Sequence, residues 1–208
     1  MDATVFEYDK VFYFNQLNGI LNDIYNVYVL ICNNGRQIKN DENKIRDEFG
    51  FYFENQYYKE TTTTAKDYFF ESEGRQQKTA GRVDIRFLSP NCYGHQDAYF
   101  AIECKRLDGK AHLCKEYVEN GIRRFTAEKY PSLLGCNAMM GFIVRTLNVD
   151  ETCKTINTHL TAHEYLTKMH EDLPDGCYKF ESKHLLESKI TLLHLWLDFT
   201  ACIEKSKE

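Results

Sequence analysis

Three charged residues stand where strand interiors normally exclude charge. Asp84 lies within GRVDIRF (81–87), and Glu103 and Lys105 lie within YFAIECKRL (99–107). Both segments are short and rich in aromatic or β-branched residues, which is strand composition. Alternation along the first puts Val83, Ile85 and Phe87 on one face and Arg82, Asp84 and Arg86 on the other. In the second, Ala101, Glu103 and Lys105 share a face opposite Ile102, Cys104 and Arg106. Glu103 and Lys105 are then about 7 Å apart. If the two strands pair as a hairpin, Asp84 faces Glu103 across the ladder.

Two carboxylates and one ammonium on a sheet face have an available chemistry. Carboxylate oxygens are hard ligands of the kind Mg²⁺ takes, usually one or two of them alongside waters and substrate phosphate oxygens. Mn²⁺ can take its place. Such a metal polarises a phosphoryl oxygen and acidifies bound water. A lysine beside it positions the attacking hydroxide or offsets charge building on the phosphate. Together these form a minimal apparatus for phosphodiester hydrolysis. The same pattern also suits an ordinary solvated sheet face, on which an i, i+2 Glu/Lys pair has no chemical role.

The surrounding text predicts the elements that must carry these residues. Phe14, Leu17, Leu21, Ile24 and Val27 or Tyr28 recur at helical spacing over 14–31, and Asn33-Asn34-Gly35 ends that helix as a turn. A second helix opens at Asn40 or Asp41 and places Ile45, Phe49, Tyr52 and Phe53 on one face. Segments 65–73, 81–89 and 97–107 read as three strands of a meander. In 113–130, Cys114, Val118, Ile122 and Phe125 mark an amphipathic helix. Gly121 falls in its middle, where close approach to a sheet would justify it. NAMMGFIVR (137–145) is apolar throughout and predicts a central strand covered on both faces. A polar helix over about 150–171 and two strands, CYKF and SKITLLHLWLDF, complete the chain. The order α-α-β-β-β-α-β-α-β-β predicts an α/β fold with a mixed sheet flanked by helices.

At 208 residues the chain is expected to form a single domain over 1–208. The N-terminus has no basic and apolar pattern of a secretory signal, and no apolar run is long enough to span a bilayer. Eight cysteines without any C-x-x-C pair fit reduced thiols, so the expected setting is cytoplasmic and away from membranes. Cys92 with His95, and His112 with Cys114, could be drawn as a zinc site, but these spacings match no common one. The net charge of −5 argues against a protein that holds nucleic acid by bulk electrostatics. Residues 75–130 nevertheless hold 11 Lys/Arg against 7 Asp/Glu, a local +4 around the charged strands.

Asp84 followed nineteen residues later by Glu103-Cys104-Lys105 resembles the motif of the PD-(D/E)XK, restriction-endonuclease-like nucleases. The text GRVDI, IECKRL, YVENGIRRF and GFIV is similar to small bacterial members of that family. Two departures stand out: Val83 occupies the place of the proline in the family name, and the total charge is acidic. The resemblance implies an α-β-β-β-α-β core over about 41–145. It also implies a Mg²⁺-dependent hydrolase cutting DNA, with RNA not excluded, and an anti-phage or mobile-element setting. Asp84 and Glu103 would be metal ligands and Lys105 the catalytic lysine. A further acid would come from the first core helix, with Glu42 the first choice and Glu48 the second. Either is also an ordinary helix charge, and Glu42 suits a helix N-terminus.

Other candidates surround this set. Glu71 and Glu73, on the strand before Asp84, either face the same pocket or decorate a solvated strand. Tyr117 reads as a core-packing tyrosine, with contact to the site as the alternative. Arg82, Arg106, Arg123 and Arg124 are candidate nucleic-acid contacts, and the last two also suit surface pairs with Glu119 and Glu128. His184, His194, Trp196 and Asp198 read as strand and core residues. Two other functions remain open: a catalytically inactive nucleic-acid- or protein-binding module, and a subunit that needs a partner chain in a defence complex. A homodimer or larger assembly is compatible with either.

Overall fold

The computed structural model describes residues 3–74, 83–90, 99–127, 130, 136–161, 164–169, 174, 176–185 and 189–205; within these, the side chains of 3–10, 57, 73, 74, 185 and 189 are not described. Helical spacing in the first thirty residues produces α1, Ala3–Asn33, longer at its N-terminal end than the sequence predicts. Gly35, at φ 71°, turns the chain out of it. Asp41 caps α2, Glu42–Phe53, by accepting the Lys44 N–H at 3.1 Å. The helix buries Ile45, Phe49, Tyr52 and Phe53, as its spacing requires.

A short α3, Gln56–Glu60, and a 3₁₀ turn, Ala65–Asp67, follow. The turn replaces the first part of the strand expected over 65–73. Buried Asp23 of α1 accepts the backbone N–H groups of Thr63, Thr64 and Ala65 at 3.0, 2.7 and 2.8 Å, so the chain turns there instead of extending.

The expected meander then forms from β1 (Phe69–Gly74), β2 (Val83–Leu88) and β3 (Tyr99–Leu107), each antiparallel to the next. β4, Cys136–Ile143, lies parallel to β3 and is buried along its whole length. Its other neighbour is parallel β7 (Lys189–Asp198), which pairs antiparallel with β6 (Cys177–Leu185). β6 thus runs well past CYKF. The sheet has seven strands in the order β1-β2-β3-β4-β7-β6-β5, where β5 is Tyr165–Lys168. The fold is mixed α/β.

The segment expected as one helix over 113–130 is α4 (Ala111–Tyr117), a π-helical turn (Val118–Ile122) and α5 (Arg123–Thr126). Gly121 sits in the wide turn because a Cβ there would overlap the Met139 methyl of β4 and come within 3.4 Å of Lys105 Cγ. The polar helix expected to reach residue 171 is α6, Val149–His159. It stops because the Asn157 side chain accepts the Leu166 N–H at 2.7 Å and donates to the Leu166 carbonyl at 3.2 Å. That exchange draws 165–168 to the sheet edge as β5.

One apolar cluster joins α1 and α2 to residues such as Phe87, Ile102, Met140 and Leu195 of the sheet. A second, on the opposite face, joins the α4 region to Tyr99, Met139 and Trp196. Among the described residues no helix is long and apolar enough to cross a membrane.

Candidate functional site

The site lies where β2 and β3 part. Their ladder runs from Leu88↔Tyr99 to Ile85↔Ile102. One further step in that register sets Asp84 opposite Glu103. There a side chain takes over from the backbone: Asp84 Oδ2 accepts the Cys104 N–H at 2.8 Å. Its Oδ1 accepts from Arg46 Nη1 at 3.0 Å.

Glu103 is fully buried, between β3 and the α4–α5 segment. Oε1 lies 3.0 Å from Lys105 Nζ and 2.8 Å from Arg124 Nη1, and Oε2 accepts the Tyr130 hydroxyl at 2.9 Å. Tyr130 in turn accepts from Arg124 at 2.8 Å. Burial, reinforced by nearby Asp84, pushes the Glu103 carboxyl up to about 7.

Lys105 is the centre of the group. Its Nζ donates to Glu42 Oε1 at 2.9 Å, to Glu103 Oε1 at 3.0 Å and to the Cys104 carbonyl at 2.6 Å, and lies 4.0 Å from Asp84 Oδ2. Burial works against its charge, but Glu103, Glu42 and Asp84 outweigh it and hold the ammonium pKa above its usual value. Lys105 is therefore a fixed cation at neutral pH, which suits it to stabilising negative charge rather than taking up a proton.

Glu42 is the helix acid at the site. Its second oxygen accepts the Arg106 N–H at 3.2 Å, so the first turn of α2 is tied to β3 by side chain and backbone alike. Glu48 instead pairs with Arg36 at 3.3 Å. A cleft of about 500 Å³ opens over the group, lined by Glu42, Lys105, Arg106, His112, Glu116 and Arg124 among others.

The remaining candidates divide. Arg124 and Arg106 belong to the cleft, and Arg106 also donates to the Asn40 carbonyl at 2.8 Å. Arg123 is exposed, and its Nη2 lies 3.5 Å from the His159 carbonyl. Glu71 pairs with Arg86 on β1 and β2, away from Lys105. The side chain of Glu73, and all of Arg82, Cys92, His95 and Glu128, lie outside the described residues.

Tyr117 does not touch the site. It belongs to a buried chain in which Trp196 Nε1 donates to its hydroxyl at 3.0 Å and that hydroxyl lies 2.9 Å from His194 Nδ1. The chain continues through Ser182 Oγ, 2.7 Å from His194 Nε2 and 2.8 Å from His184 Nε2, to Glu164, 2.9 Å from His184 Nδ1. Burial, with His184 adding to it, lowers the His194 pKa to about 3. With a proton on Nε2 of His194 and on Nδ1 of His184, every donor along this chain meets an acceptor. Both histidines are therefore satisfied core residues, as their apolar surroundings suggested.

Sequence reasoning missed Arg46 and Tyr130. Arg46 follows Glu42 by four residues, so helix periodicity already placed the two on one face. Nothing in the spacing around Tyr130 pointed to Glu103.

Among the described residues no three His, Cys, Asp or Glu side chains meet as a ready metal cage. The acids gather around the Lys105 ammonium instead. Their chemistry fits a hard dication all the same: three carboxylates, two of them largely withdrawn from water, share one end of the β2–β3 pair. Comparison with protein-family models, with curated proteins and with solved structures finds no match for this chain.

Proposed function

We propose that the protein is a metal-dependent nuclease that hydrolyses DNA phosphodiester bonds, a restriction-endonuclease-like enzyme of the PD-(D/E)XK kind. The observation that carries this reading is the convergence of Glu42, Asp84 and Glu103, from three elements, on Lys105 Nζ. With the short α3, the 3₁₀ turn and the split of the α4–α5 segment set aside, the succession α2, β1, β2, β3, α4, β4 supports this reading. Both supports are of fold and site together, which is stronger ground than fold alone.

Asp84, Glu103 and Glu42 would hold Mg²⁺, which when bound supplies a polarised phosphoryl oxygen and a more acidic water. The chain's own groups do the rest. Lys105 Nζ holds positive charge beside the scissile phosphate and stabilises charge that builds there. Arg124 and Arg106 face the cleft and give the phosphate backbone cationic partners. Tyr130 and Arg124 fix both oxygens of Glu103, so that the buried carboxylate keeps one orientation. Asp84 is aligned by Arg46 and the Cys104 N–H.

The test is incubation of the protein with plasmid and linear DNA, and with RNA in parallel, in Mg²⁺ or Mn²⁺, beside Asp84→Ala and Lys105→Ala. Metal-dependent cutting that both substitutions abolish is the expected result. Undiminished cutting by Asp84→Ala would overturn the site. A second reading, a binding module without activity, draws on the saturation of Lys105 by two carboxylates and a carbonyl. Nucleic-acid binding without cutting in all three proteins would favour it.

A further inference from the structure

Away from the cleft, the end of α1 and the C-terminal tail meet at two thiols. Cys32 Sγ and Cys202 Sγ are 3.2 Å apart although 170 residues separate them in the chain. Cys32 is half-buried and Cys202 buried, and both are free thiols. Among the described residues no third metal-binding side chain joins them, which leaves the pair short of the four ligands of a structural zinc site. Two thiols in near contact without a metal have one characteristic reaction, closure to a disulfide.

The position of the pair gives that reaction a consequence. Beside Cys202, the tail pairs with the linker between α1 and α2. The Cys202 carbonyl accepts the Ile38 N–H at 2.7 Å, and the Ile38 carbonyl accepts the Glu204 N–H at 2.8 Å, around a parallel bridge between Ile38 and Ile203. Three residues after Ile38, Asp41 caps α2, and Glu42 then reaches Lys105. The linker is thus held at one end by α1, at its middle by the tail and at the other end by the candidate site.

We propose that Cys32 and Cys202 form an oxidisable pair, a disulfide-forming modification site that staples the tail to α1 and fixes the linker that presents Glu42. The co-reactant is a small-molecule disulfide of the oxidised-glutathione class. Cys32 is the more exposed thiol and reacts first. Its thiolate attacks one sulfur of the small disulfide, that S–S bond breaks, and one small thiol leaves with the proton Cys32 gave up. Cys202, deprotonated in turn, attacks Cys32 Sγ and expels the second small thiol. Two electrons pass to the oxidant, two thiols are released, and one protein S–S bond is formed. Burial, together with the adjacent Cys202, pushes the Cys32 thiol up to about 12. Thiolate is therefore scarce at neutral pH, and the reaction is slow there and faster as pH rises. The chemistry of the pair stands apart from the nuclease reading; only the meaning of a fixed Glu42 rests on it.

The full chain is treated with oxidised glutathione at pH 8, alkylated, and digested without reductant. The expected product is a Cys32 peptide joined to a Cys202 peptide. Its formation should raise the melting temperature by roughly 5–10 °C, reversibly with dithiothreitol. Hydrogen exchange at the amides of Ile38 and the first turn of α2 should slow on oxidation. Cys32→Ser and Cys202→Ser should each remove the cross-link and the thermal shift while keeping the far-ultraviolet spectrum of the reduced protein. Glutathione left on Cys32 with no link to Cys202, or a cross-link between other cysteines with this pair free, overturns the proposal. A correct cross-link with unchanged exchange over 38–46 overturns the staple. None of these readouts needs DNA cleavage, so failure of the nuclease reading is scored separately.

Discussion

Glu103 carries a heavy electrostatic burden, because it is fully buried beside another carboxylate and ringed by two cations and a hydroxyl. Its folded pKa of about 7 stands above the ordinary 4.5. Between those values the folded chain keeps a proton that the unfolded chain has released. The folded state binds more protons at this group, so the contribution of Glu103 to stability is fully present below about 4.5 and is lost as pH rises through 7. The expected loss is on the order of 2–3 kcal/mol. Chemical denaturation at steps from pH 4.5 to 8 should show it, and Glu103→Gln should flatten the profile. A profile unchanged by that substitution would place the titration elsewhere. The same proton competes with a dication, so Mg²⁺ binding followed by calorimetry should weaken by about tenfold from pH 8 to pH 6. At this scale the sequence was informative about which residues are charged and which face they share. It was silent about Tyr130, whose partnership with Glu103 joins residues 27 apart in the chain.

The π-helical turn decides how closely the α4–α5 segment approaches Lys105. Its trace is present in the text: Cys114, Val118 and Ile122 are spaced four and four, wider than a regular helix averages. Spacing alone could not separate a widened turn from an ordinary apolar stripe, since both give one buried face. Gly121→Ala tests it. A helix interior gains about 1 kcal/mol from alanine in place of glycine, but overpacking against Met139 costs about 1–3 kcal/mol. Net destabilisation of up to about 2 kcal/mol is expected, with partial recovery in combination with Met139→Ala. A stabilised single variant would mean the turn has room to spare.

β5 was hidden for a related reason. Its four residues are mostly exposed, so no alternation marks them, and a side chain of α6 recruits them to the sheet. The buried chain from Trp196 to Glu164 ties this edge of the sheet to α4. Its donors and acceptors are all satisfied when His184 carries its proton on Nδ1 and His194 on Nε2. Nitrogen chemical shifts of the two imidazoles at pH 7 should report opposite tautomers; the same tautomer in both would break the chain as described.

Across the whole molecule, most strands and helices were legible because each buries a face whose period appears in the sequence, β4 on both sides and α2 on one; β5 and the short α3 have no such period and were not. Asp84, Glu103 and Lys105 were legible because alternation along β2 and β3 brings them to one end of the pair, although Val83 departs from it and packs with Tyr99 and Ala101 instead of Ile85 and Phe87. The order in which the C-terminal strands join the sheet was not, since β7 inserts between β4 and β6 through contacts distant in sequence. The charge distribution is the remaining property of this scale. A chain of net charge −5 is repelled by DNA at long range, so the proposed nuclease reading requires the attraction to come from the local cations around the cleft. Arg106 and Arg124 line it, and Arg123 lies exposed nearby on α5. If each neutralises one phosphate, the logarithm of the binding constant should fall with the logarithm of salt concentration with a slope of about −3. Binding is measured on a labelled duplex in Ca²⁺ between low and moderate salt. Arg106→Ala and Arg123→Ala should each lower the slope by about 1 across unrelated sequences. Arg124→Ala should do the same and also release Glu103, so it alone should alter the pH profile of stability. A slope near zero in the wild type would show that these arginines do not meet phosphates, and would move the substrate path away from the cleft.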